Sequence, residues 1–142
     1  MTNDVLTLAD RLWAGDEHLE IRHVFVRNVW RQYGGWYDGN PAHLKPAREA
    51  VLAGELAALA GGARRLADRA SALAGSAADG DLRLAGHLVE LAALAEPDDM
   101  AIHAARADVF RARVAAATST MAKGIFAWAQ AESERKATPP PG

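Results

Sequence analysis

The sequence predicts an all-α fold, a single-domain bundle of about six to seven helices arranged as hairpins. Three observations predict it. Apolar residues recur at +3 and +4 along most of the chain. No segment alternates polar and apolar residues as a half-buried strand would. Glycine pairs, prolines and aspartates fall at intervals that suit helix ends. With 142 residues, 50% hydrophobic and 24% charged, the chain is long enough to bury one helical core.

Residues 1–15 read as an N-terminal helix, with Leu6, Leu8, Leu12 and Trp13 as its apolar residues and Gly15 as its break. The main domain is expected over 16–136. Asp16 caps a second helix, 16–33, whose stripe is Leu19, His23, Val26, Trp30 and Tyr33. Gly34-Gly35 ends it, and a loop follows to residue 45. Pro46 suits the first position of a third helix, 46–60, which carries Leu52, Leu56 and Leu59 on one face and stops at Gly61-Gly62. A fourth helix, 63–74, presents Leu66, Ala70 and Leu73. A fifth, 81–95, carries Leu84, His87, Leu88 and Leu91, and Pro97-Asp98-Asp99 separates it from a sixth. The sixth, 99–115, carries Ile102, Ala105, Val109 and Ala112. Thr118 caps the seventh, which runs to residue 135 with Met121, Ile125 and Trp128 at +4 and +3. Residues 137–142 are a Pro-rich tail.

The stretch Ala85, Val89, Ala92, Pro97 keeps the spacing of the second half of a tetratricopeptide hairpin, where small residues let paired helices approach closely. The leucine-rich stripes of the third to sixth helices serve either the core or a dimer seam. Sequence alone does not separate the two.

Net charge is −2, which gives no electrostatic case for nucleic acid. Acidic residues gather at Asp4, Asp10, Asp16, Glu17 and Glu20, and basic ones at Arg22, Arg27, Arg31, Lys45 and Arg48. One reading is a solvated helix face with internal pairs. The other is a basic rim, Arg27, Arg31 and Lys45, that faces an anionic ligand or an acidic partner. The absence of cysteine removes disulfides and thiolate chemistry. No run approaches the ~18 apolar residues of a membrane span. The N-terminus lacks the basic and apolar regions of a signal peptide, so the expected location is the cytoplasm.

Chemistry-bearing patterns are sparse. His18, His23, His43, His87 and His103 include no pair at metal-ligand spacing with a third ligand nearby, so no metal is assigned. His23 and His87 fall on apolar stripes and read as core histidines. Ser71, Ser76, Ser119 and Ser133 lack a nucleophile elbow, and no glycine-rich phosphate loop is present.

The most distinctive segment is Trp30 to Leu44. It holds two of the four tryptophans and both tyrosines of an aromatic-poor chain. Gly34, Gly35 and Gly39 suit positive φ, Pro41 pushes Asn40 toward extended geometry, and Asp38 and Asn40 suit turns. Trp30, Tyr33, Trp36 and Tyr37 either plug the loop onto the bundle or contact another chain. The run Tyr33-Gly34-Gly35-Trp36-Tyr37-Asp38-Gly39-Asn40-Pro41-Ala42-His43-Leu44 resembles the signature segment of the alkyl sulfatase dimerisation domain, the helical middle module of metallo-β-lactamase-superfamily alkyl sulfatases.

That resemblance implies a non-catalytic homodimerisation module. The superfamily's zinc site needs a His-x-His-x-Asp-His run, which this chain lacks, so no cofactor is expected here and zinc would belong to a separate hydrolase domain. Three functions follow as expectations. The first is homodimerisation, with the aromatic loop bracing a hydrolase. The second is an accessory subunit of a split zinc-dependent alkyl sulfatase, partnered by a metallo-β-lactamase-fold chain. The third is a binder of small amphipathic ligands.

Overall fold

In the computed structural model of the chain, the described residues are Val29, 39–76 and 78–139. They divide between two compact units, Met1–Pro46 and Ala47–Gly142. The predicted helices over 1–15 and 16–33 lie outside the described residues, Val29 apart, as do Trp30 to Asp38 of the aromatic segment.

In the first unit, the described part of the signature segment is a short 3-10 turn, Pro41–His43. Gly39 has φ +91°, the left-handed region expected of it. Asn40 is extended at φ −93°, ψ 111°, and its side chain accepts from the Ala42 N–H at 3.0 Å. Both features follow from the sequence: proline restrains the residue before it, and asparagine closes a local turn through its own amide oxygen.

The second unit holds five helices, and no strand occurs among the described residues. They are α1 (Glu49–Ala60), α2 (Ala63–Ala74), α3 (Asp79–Ala95), α4 (Met100–Ala116) and α5 (Thr120–Ala137). Each corresponds to one of the predicted third to seventh helices. Consecutive helices pack as hairpins, with α4 and α5 most closely engaged and α3 lying against α1, α2 and α4.

The helix ends mostly obey local chemistry. Gly61 takes φ +88° as the left-handed cap of α1, and Gly62, at φ +122°, donates to Ala57 O at 2.7 Å. Asp99 caps α4, accepting from the Ala101 and Ile102 N–H groups at 2.8 and 3.2 Å. Some boundaries differ from expectation, among them the start of α3 at Asp79 instead of residue 81. Helix α1 starts at Glu49, not Pro46, because Arg48 stays extended at φ −62°, ψ 134°. Ser119, not Thr118, caps α5, its hydroxyl accepting from the Ala122 N–H at 3.4 Å.

The core is built of small residues. One cluster groups Ala70, Leu73, Ala85, Val89, Val109 and Phe110, with Ala129 beside them. A second groups Ala57, Ala63, Ala67, Ala92 and Ile102. Ala85, Val89 and Ala92 are fully buried, as the hairpin spacing predicts. Alanine at these contacts lets helix backbones approach closely, at the cost of little apolar area per residue.

Several predicted stripes are rotated away from this core. On α3 the buried side is Leu82, Ala85, Val89 and Ala92, so Leu84 and His87 are exposed and His87 is not a core histidine. On α1 the buried residues are Ala53 and Ala57, and Leu52, Leu56 and Leu59 face outward. On α5 they are Ala129 and Ser133, and Met121, Ile125 and Trp128 face outward. The physical reason is close packing. On α1 and α5 the inward positions are taken by Ala53, Ala57, Ala129 and Ser133, and at that close approach the bulkier side chains of these two helices lie outside the contact.

Candidate interaction faces

Two apolar surfaces result. Helix α1, EAVLAGELAALA, has apolar side chains almost all round, yet it buries only Ala53 and Ala57 within its own unit. Leu59 is 83% exposed, and Val51 and Leu52 are each more than half exposed. A helix that is apolar on every side belongs in a buried setting. On α5, Met121 and Ile125 lead along one face to Trp128, which is 64% exposed. Tryptophan is the side chain most often found as an interface anchor.

Behind the α5 face lies a buried polar network. Arg106 of α4 is buried, with 8% of its side chain exposed. Its guanidinium donates to Glu90 Oε1 of α3 at 2.8 Å, and to Ala129 O, Glu132 Oε2 and Ser133 Oγ of α5 at 3.1, 3.0 and 2.6 Å. It also lies 5.3 Å from the centroid of the Phe110 ring. His103, buried one turn earlier on α4, donates from Nε2 to Pro97 O at 2.8 Å and turns Nδ1 toward Ser133 Oγ at 3.4 Å. Among the described residues no buried side-chain nitrogen or oxygen lacks a partner. The network fixes the rotation of α5 about its axis and so fixes which side of α5 faces out.

Electrostatics around it favour the charged forms. Burial works to raise the Glu132 carboxyl, but the hydrogen bond and charge of Arg106, with Lys136, outweigh it and hold the group below its ordinary range. The Arg64 hydrogen bond lowers Asp99, and the α4 N-terminal N–H groups add to that. Glu134 is lowered first by Gln130 and then by Arg111. A second cation, Arg113, sits 4.4 Å from the centroid of the Phe126 ring and donates to Leu82 O at 3.3 Å, joining α3, α4 and α5.

Of the residues singled out in the sequence, Gly39, Asn40 and Pro41 form the exposed turn already described, and Lys45 is exposed. Arg27, Trp30, Arg31, Tyr33, Gly34, Gly35, Trp36, Tyr37 and Asp38 lie outside the described residues. Among the described residues no three His, Asp or Glu side chains converge as metal ligands would. None of the described helices is long and apolar enough to cross a membrane. Arg106 and Ser133 were missed because nothing in local spacing marks a buried arginine.

The family model for alkyl sulfatase dimerisation matches residues 7–136. The chain belongs to the alkyl sulfatase dimerisation family. That match takes in the signature segment and all of α1 to α4, and it ends within α5. No curated protein and no solved structure matches the chain. The buried Arg106 network belongs to the scaffold.

Proposed function

We propose that this chain is a non-catalytic module whose work is homodimerisation, joining two copies through the outward apolar faces of its helices. The observation that carries the reading is the inversion of side-chain size. Alanines make up most of the buried apolar residues of the second unit, while Leu52, Leu59, Ile125 and Trp128 point outward. Bulky apolar side chains left in water forgo roughly 1.5–3 kcal/mol each relative to burial. A second copy recovers that, and a two-fold arrangement lets one sequence supply both sides. The family supports the same reading.

In this reading the aromatic segment, residues 30–41, braces the dimer against a metallo-β-lactamase-fold hydrolase chain, the partner that the sequence resemblance implies. The test of dimerisation is co-purification. When a tagged and an untagged copy are produced together, affinity capture of the tagged copy brings the untagged one with it in near-equal amount. Recovery of the tagged copy alone, after mild crosslinking as well, rules the function out.

A further inference from the structure

We infer that the outward face of α1 is a two-fold seam in which two antiparallel α1 helices, one from each copy, exchange ion pairs between Arg48 and Glu55. This rests on the dimerisation reading and assigns its contact surface.

The apolar part of the seam is Val51 and Leu52, both exposed. Charge decides what covers it. Arg48 and Glu55 are both exposed, and neither makes an ion pair or a side-chain hydrogen bond among the described residues. Arg48 is the extended N-cap of α1, and Glu55 lies within the helix seven residues on, beside Leu52 and Leu59. Two turns of helix span about 11 Å.

A two-fold axis between Val51 and Leu52 therefore carries Arg48 onto Glu55 of the partner subunit and Glu55 onto Arg48 of the partner subunit. One chain supplies both charges of both pairs. A parallel alignment would set arginine against arginine and glutamate against glutamate. An axis centred on Glu55 would bring two glutamates together. The charges thus select orientation and register, while Val51 and Leu52 supply the apolar contact. Polar pairs at the edge of an apolar helix contact are the usual means of fixing register.

The experiment is sedimentation velocity on the full chain over a range of concentrations, with charge-reversal variants. The parent is expected to be a dimer. Arg48→Glu and Glu55→Arg each weaken it by about tenfold or more, and the double variant R48E/E55R returns to within about threefold of the parent. Leu52→Glu, on the same face, dissociates it as well.

If the parent is a dimer that these substitutions leave untouched, while Trp128→Glu dissociates it, the seam is the α5 face. The inference then fails and the dimerisation reading stands. A parent that is monomeric throughout overturns both. If the variants melt at lower temperature with no change in mass, the α1 face is covered by residues 1–38 of the same chain, which also overturns the inference.

Discussion

The Arg106 guanidinium donates to Ser133 Oγ at 2.6 Å, and this buried pair joins α4 to α5. It sets the orientation of the helix whose outer side carries Trp128. Because Arg106 also holds Glu90 and Glu132, its removal strands partners on two helices. Arg106→Ala is expected to cost about 3 kcal/mol, the lower end for a broken buried pair, since both glutamates keep some contact with water. Urea denaturation at fixed protein concentration measures it. A loss below about 1 kcal/mol would show that the network is dispensable.

The two glycines between α1 and α2 predict an order of effects. Gly61 lies in the left-handed region at φ +88°, ψ 25°, which other residues enter at moderate cost. Gly62, at φ +122°, ψ 153°, lies in a region that is essentially glycine's alone. No neighbour would meet a Cβ at either site, so any penalty is conformational. Gly61→Ala is expected to cost about 1 kcal/mol and Gly62→Ala about 2 kcal/mol or more. Thermal melts of the two variants under one set of conditions give the order, and the reverse order contradicts the backbone argument.

Asp99 serves α4 twice, as its N-cap and as the partner of Arg64 at 2.7 Å. Asp99→Asn keeps most of the cap and loses the ion pair. Asp99→Ala loses both and is expected to cost about 1 kcal/mol. The Asn variant should retain most of the parent's melting temperature. Equal losses in the two variants would place the stabilisation in the ion pair instead.

The lowered carboxyls set the direction of the pH response. Asp99, Glu132 and Glu134 all have folded-state values below their ordinary ones. Their contribution is complete above the unfolded carboxylate range of about 4 and is lost as pH falls through the lower folded values. Between pH 7 and pH 3 the melting temperature is expected to hold in the upper part of the range and fall in the lowest part. A melting temperature that rises toward pH 3 would contradict these shifts.

The order of helices was legible because its signals are local. Gly61-Gly62, Pro97 and Asp99 each act on the backbone within a turn of where they stand, and the structure follows them closely. The inward faces were less legible. Size-based reasoning turns Leu52, Leu56 and Trp128 inward, but alanine contacts bring the helices too close to admit them. Arg106 and His103 were hidden for a related reason, since their partners come from helices 16 to 30 residues away in sequence. Asn40 of the signature segment was readable because its turn is closed by its own side chain.

Light scattering of the purified chain, followed down through dilution, reads whether one copy binds another. Homodimerisation requires a mass of two chains, about twice 15.1 kDa, persisting to the lowest concentration that can be read. A mass of one chain at every concentration would contradict it.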